Sequence, residues 1–286
     1  MREEDYYSLY ERNLPLISLE TQGELKKIKV GVAGCGSTGG AVIDGFLRLG
    51  VTNYHLCDNG DYELNNLNRQ MVFREDIGKN KAEVQSSRVL NINPNASVNF
   101  WNEGITKSNI NEFLTEVDFL FDAVDVTERE GMDMKLLLHE VAHAKKIPVS
   151  SSLDLGYLQW VKGYNYQNGE DLLGGKMEAA KKAKSPLKAL IDGFISLEEI
   201  PLELLKEAER LIKDPSAGAC QLGSACFLLS SIMGPYLINF VNKKKLPDLV
   251  KIDLMEYFES QQEKEERKAR TKEAVGSLSE FLKGVV

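Results

Sequence analysis

This chain lacks paired cysteines. Its four, Cys35, Cys57, Cys220 and Cys226, form no C-x-x-C pair, so neither a structural zinc site nor the dense disulfide framework of a small secreted domain is expected. Histidines are few, and His55, His139 and His143 show no ligand constellation; His139 and His143 share a helix face, but no metal pair is expected there. Positive charge is also scarce. Lys and Arg number 35 against 43 Asp and Glu, a formal charge of −8, which argues against a broad nucleic-acid surface. The acidic start, Met1-Arg2-Glu3-Glu4-Asp5, has no apolar signal core, and no apolar run is expected to reach the ~18 residues of a membrane span. A cytoplasmic protein is the expectation.

What the chain does have is a glycine turn in the right setting. Val30-Gly31-Val32-Ala33-Gly34-Cys35-Gly36-Ser37-Thr38-Gly39-Gly40 reads as a buried strand, then Gly34-x-Gly36-x-x-Gly39, then an apolar-periodic helix from Ala41 to Leu49. One glycine makes the tight turn, one lets backbone approach phosphate oxygens, and one lets helix and strand pack closely. The helix N-terminus then offers N–H groups to the anion. A second strand, Tyr54 to Cys57, ends at Asp58, about 20 residues on, where a ribose-binding carboxylate belongs.

At 286 residues and 43% hydrophobic, the chain can bury a large core around one α/β unit with additions. Strands near Ser97–Trp101, Phe119–Phe121 and Pro148–Ser152 alternate with helices near Ile77–Leu90, Asn109–Thr115 and Met132–Ala144. That alternation predicts a doubly wound, mostly parallel, Rossmann-like sheet. A helical arm over residues 1–28 precedes the nucleotide-binding domain, residues 29–167. Residues 168–215 form a charged helical insertion at a crossover, with Gly169, Gly174 and Gly175 near its start. It reads as a mobile element over a substrate channel, because specificity tends to sit in insertions on a rigid scaffold. A long apolar helix, Ala219 to Asn242, and a last strand, Val250 to Leu254, fill residues 216–258. A charged helix over 259–286 completes the chain.

The run after Asp58 separates the classes of nucleotide protein. Asp58-Asn59-Gly60-Asp61-Tyr62-Glu63-Leu64-Asn65-Asn66-Leu67-Asn68-Arg69-Gln70 is followed by Ile77-Gly78-Lys79-Asn80-Lys81 and, later, Asp122-Ala123-Val124-Asp125. With the glycine turn, and with Arg12-Asn13 and Gln22-Gly23-x-Leu25 upstream, this closely resembles the ThiF/MoeB family. Its members activate ubiquitin-like and sulfur-carrier proteins by adenylating a carboxylate with ATP. The resemblance covers residues 6–165 well and 220–254 loosely.

It implies roles residue by residue. Gly34, Gly36, Ser37 and Gly39 would line the phosphates, Asp58 the ribose, and Arg69 and Lys81 would neutralise phosphate charge. Asn66 and Gln70 would add hydrogen bonds, and Asp125 would hold Mg²⁺, a hard cation suited to carboxylate and phosphate oxygens. Arg12 would reach the site of the other subunit of a homodimer. The acceptor would be a small protein or peptide with a C-terminal carboxylate.

Departures from the family pattern accompany these matches. The zinc-binding cysteine pairs are absent, and Val126 replaces the asparagine that usually follows the metal-binding aspartate. Cys220 is the one counterpart of the nucleophilic cysteine of some relatives, and a helix expected just after it would lower its pKa. Two other classes stay open. The glycine turn and Asp58 alone would serve a NAD-dependent oxidoreductase, and a non-catalytic family member would partner an active subunit.

Overall fold

The computed structural model describes residues 3–213 and 220–285. In chain order these form α1 (Glu3–Leu9), α2 (Leu19–Lys27), β1 (Lys29–Ala33), α3 (Ser37–Leu49), β2 (Asn53–Cys57), α4 (Lys81–Ile92), β3 (Ser97–Trp101), α5 (Ile110–Phe113), β4 (Phe119–Asp122) and α6 (Arg129–Ala144). There follow β5 (Val149–Leu155), β6 (Leu158–Tyr164), α7 (Met177–Lys182), α8 (Pro186–Gly193), α9 (Leu202–Lys213), α10 (Gly223–Val241), β7 (Leu249–Asp253) and α11 (Gln261–Val285).

The seven strands lie in the order β3-β2-β1-β4-β5-β6-β7. The five from β3 to β5 are parallel, as the alternation predicts, and β6 and β7 are antiparallel additions. After β1 the chain moves outward through β2 to β3 and then returns to place β4 on the other side of β1. The crevice between the C-terminal ends of β1 and β4 is therefore the topological switch point, where such sheets bind ligands. A tight hairpin at Gly156-Tyr157 reverses β5 into β6; Gly156 adopts a positive φ of 70° there.

Both faces of the sheet are covered. On one, α3 and α10 bury Val42, Phe46, Leu229, Met233 and Leu237 against Val30, Val32 and Phe121. The helix α10 corrects one expectation: by length and composition its 19 residues would suit a membrane span. Its buried residues include Ala225, Cys226, Leu229 and Tyr236, and it packs along α3.

On the other face, α6 packs Met132, Leu136 and Leu138 with Leu173, Met177, Ala180, Ala189 and Phe194 of the insertion. A third cluster joins Trp160 of β6 to Ile195, Leu197, Leu205 and Ala208, and closes with Leu278 and Leu282 of α11. Hydrogen bonds from Trp160 Nε1 to Glu199 Oε1 (3.0 Å) and from Arg129 to the Ala183 carbonyl (2.8 Å) tie the same segment down. The insertion is thus core, not a mobile cover standing off the sheet. The end of that insertion and the chain leading to Ala219 lie outside the described residues.

The arm is helical in pieces, as its Pro15 break suggests. It seats on the C-terminus of α3: the Tyr6 hydroxyl donates to Gly50 O (2.7 Å), Gln22 Nε2 to Leu49 O (2.8 Å), and Asn13 Nδ2 to the same carbonyl (3.2 Å).

Candidate functional site

At the switch point the glycines act through steric need. A Cβ on Gly34, whose φ is +92°, would overlap the Ala123 carbonyl at the end of β4, and a Cβ on Gly39 would overlap the Gly34 carbonyl. Only glycine lets the turn close on both neighbours. The helix α3 then begins at Ser37, with its first-turn N–H groups lacking intrahelical acceptors.

Asp58 is built into this turn. Its Oδ2 accepts from Cys35 N (2.6 Å) and its Oδ1 from Gly60 N (2.8 Å). Burial raises its pKa, opposed by Lys81 and the two N–H donors. The carboxylate therefore stands at the end of β2 with a cation beside it. The placement of Lys81 has a local cause: Asn80 caps α4, accepting from Ala82 N (2.9 Å) and Glu83 N (3.2 Å), while its Nδ2 donates to the Asp58 carbonyl (3.0 Å). One side chain thus starts the helix and fixes it to the end of β2. Helix α4 begins at Lys81 and not near Ile77, because the Asn80 cap governs where it starts.

Asn66 is buried and structural in its contacts. Its Oδ1 accepts from Glu63 N (3.1 Å), closing the turn that carries Arg69 and Gln70. Arg69 donates to the carbonyl of Asn65 (2.9 Å), to Asn68 (2.8 Å) and to the side chain of Gln221. Gln221, just before α10, holds this cation from a distant part of the chain; no spacing in the sequence signals it. A Cβ on Gly36 would stand 3.6 Å from the Gln70 carboxamide, whose buried oxygen has no hydrogen-bond partner. That oxygen is an acceptor, so the ligand group that would complete it is a donor such as a hydroxyl or N–H, not a phosphate oxygen.

Ser37 faces elsewhere. Its hydroxyl donates to Asp154 Oδ2 (2.9 Å) and lies 2.6 Å from Cys226 Sγ, joining α3 to β5 and α10. Asp154, missed in the sequence, has its pKa raised by burial, with Gln159, Ser37 and Cys226 opposing in part or in turn. Cys226 is pushed up to about 12, mainly by burial. It is no thiolate.

Asp125 lies exposed on the loop after β4, one oxygen accepting from Thr127 N (2.9 Å). It is close enough to Asp58 to raise that group's pKa slightly. Among the described residues no group of three or more His, Cys, Asp or Glu stands together as a metal cage. A single exposed carboxylate fits Mg²⁺, which keeps several waters and takes its remaining ligands from phosphate.

Two expected residues stand apart. The Arg12 side chain is 96% exposed beside Glu11 (3.8 Å), turned outward from the arm. Cys220 donates to Glu207 Oε1 (3.2 Å), and that hydrogen bond raises its pKa. This corrects the expected lowering: α10 starts only at Gly223, and the hydrogen bond to Glu207 of α9 outweighs the opposing effect of Arg210.

A glycine turn under a helix N-terminus, a strand-end carboxylate and cations at a parallel-sheet switch point define a Rossmann-type nucleotide-binding protein. The ThiF family model matches residues 10–274, and the chain belongs to that family. An uncharacterized protein of Mycobacterium tuberculosis is 31% identical over 166 residues, 58% of this chain and 22% of its own length. A probable molybdopterin-synthase adenylyltransferase of Porphyra purpurea is 30% identical over 122 residues, covering 42% and 32%. The chain thus spans less than half the length of these curated relatives.

Among solved structures, PaaA superposes with TM-score 0.66 at 20% identity, covering 89% of this chain and 81% of its own. The E. coli tRNA N6-threonylcarbamoyladenosine dehydratase TcdA in complex with ATP gives 0.58 at 17%, covering 85% and 97%. At such identities the likeness is one of fold.

Proposed function

We propose that this chain is an ATP-dependent adenylyltransferase. The acceptor's terminal carboxylate oxygen attacks the α-phosphorus of ATP, the bond to the β-phosphate oxygen breaks, and pyrophosphate leaves. The observation that carries the reading is a pair of cations around the glycine turn: Lys81 stands beside Asp58, and Arg69 stands near Asp154, which the Ser37 hydroxyl holds at the start of α3. A dinucleotide site needs no such cations, whereas bringing two anions together does.

Each residue has a derived task. Asp58, pinned by two backbone N–H groups, accepts the ribose hydroxyls. Lys81 and Arg69 offset negative charge that grows on the transferring phosphate, and their fixed supports remove the cost of reorienting them. Mg²⁺, held by Asp125, would draw charge from the phosphate oxygens and the leaving pyrophosphate. Arg12, free of the body of its own subunit, completes the partner's site in a homodimer. The acceptor is a small protein or peptide with a free C-terminal carboxylate, and the enzyme works in the cytoplasm.

Calorimetry tests the reading. ATP with Mg²⁺ binds and NAD does not, and a cognate acceptor releases pyrophosphate with no change in nicotinamide absorbance. Tight NAD binding without ATP binding would overturn it in favour of the oxidoreductase.

A further inference from the structure

Beneath the Asp122–Asp125 turn lies a buried polar network that the adenylation chemistry does not use. The Asp122 carboxylate is fully buried at the end of β4 and pairs with Lys135 Nζ, also buried. The same oxygen accepts from Ser151 Oγ (2.5 Å) and lies 3.0 Å from His139 Nε2. The Tyr166 hydroxyl accepts from Leu173 N (3.3 Å), which leaves its proton for His139 Nδ1, 2.8 Å away. With Nδ1 taking the Tyr166 proton, Nε2 is the donor toward Asp122; burial lowers the His139 pKa, opposed by the hydrogen bond and charge of Asp122. Burial would raise the Asp122 pKa, but Lys135 and His139 outweigh it and hold that carboxyl far below its ordinary range. The network contains one full ion pair and a hydrogen-bonded chain through His139 and Tyr166 that reaches the insertion.

Its other end touches the loop of Asp125. The second Asp122 oxygen accepts from Val124 N (3.2 Å). Gly131, Lys135 and His139 recur every fourth residue of α6 and so share one face. A Cβ on Gly131 would overlap the Asp125 carbonyl oxygen. One stripe of α6 therefore presses on the backbone of Asp125 and grips the side chain that shapes its turn. A buried ion pair is a poor way to gain stability, since apolar replacements often do as well. Fixing a loop is a better use of it.

We infer that Lys135 and His139 are positioning residues: they hold Asp122, Asp122 holds the Val124 N–H, and the turn so fixed aims the Asp125 carboxylate. The inference rests on reading Asp125 as the ligand of the ATP-bound cation. All three side chains are buried beneath the turn and none opens onto the surface.

The test uses the full chain carrying Lys135→Gln. If it melts, the charge-balanced Asp122→Asn/Lys135→Gln variant takes its place. Without ligand, hydrogen exchange at the Val124 and Thr127 amides is expected to quicken about tenfold, as local opening becomes easier. In calorimetry the Mg²⁺ concentration giving half-maximal ATP binding rises about tenfold, while ATP affinity in EDTA stays within about twofold, the pattern of a lost outer support to a metal ligand. A folded variant with wild-type exchange and wild-type Mg²⁺ dependence overturns the inference, as does failure of both variants to fold. Wild-type ATP binding indifferent to Mg²⁺ instead overturns the role of Asp125, and the exchange arm alone then decides whether the network sets the turn.

Discussion

Around β1 the chain packs backbone against backbone, whereas around β5 and β6 it packs side chain against side chain. Gly34 and Gly39 each admit a neighbouring carbonyl where any Cβ would overlap it. Across the sheet, Trp160, Phe194, Leu173 and Met177 fill space between α6, the insertion and α11. The two regions are equally buried, but they tolerate change differently. A backbone approach has no alternative residue; a packed side chain loses stability in proportion to what is removed. The site sits on the first kind of construction because phosphate binding needs bare N–H groups held still.

The sharpest way to break the comparison is a single methyl group. Gly39→Ala must push α3 off the Gly34 carbonyl. We expect either no soluble protein or a folded one whose ATP affinity falls beyond detection. Calorimetry after a circular-dichroism check decides, and an alanine variant that binds ATP normally would show that the contact is not tight.

Phe194→Ala probes the other region. The ring is 4% exposed at the end of α8, edge-on to His139. Its removal should cost about 3–5 kcal/mol by denaturant unfolding, as for other buried Phe truncations. A loss of well under 1 kcal/mol would return the insertion to the status of a separable cover. By the same reasoning, exchanging the insertion for a Gly/Ser linker unfolds the protein instead of sparing ATP binding.

This contrast explains what the sequence made legible. Gly34, Gly36, Gly39 and Asp58 stand at spacings that geometry dictates, so the first βαβ unit and its ligand class can be read directly. The parallel sheet follows from alternation, and the break in the arm from Pro15. Side-chain burial leaves a weaker trace: the insertion's helical periodicity was visible, yet periodicity does not say which surface a helix meets. The partners of Arg69, Ser37 and Cys220 are legible least of all. Gln221 lies 152 residues from Arg69, and Asp154 lies 117 from Ser37, and only the completed fold brings them together. Asn80 is readable in principle, as an Asn followed by an amphipathic run, but the apolar spacing extends back to Ile77 and hides the cap.

The smallest expected effect sharpens the comparison where the two regions meet. Cys220 leads into α10 from the side-chain-packed half, and it is exposed while Cys35, Cys57 and Cys226 are buried. Alkylation of the folded protein should therefore report this one thiol. Its pKa is raised because it donates to the Glu207 carboxylate, and a thiol reacts through its thiolate. The thiolate fraction is thus lower near neutral pH than for an ordinary cysteine, and the rate should keep climbing as pH rises past the usual thiol range. Glu207→Gln removes the negative acceptor and lowers the pKa, so alkylation near neutral pH should quicken. The two rates converge at high pH, where both thiols are ionised. A wild-type rate already equal to that of a free cysteine, or an unchanged rate in Glu207→Gln, would place Cys220 outside the reach of Glu207. The thiol would then stand ready as a nucleophile without rearrangement of α9.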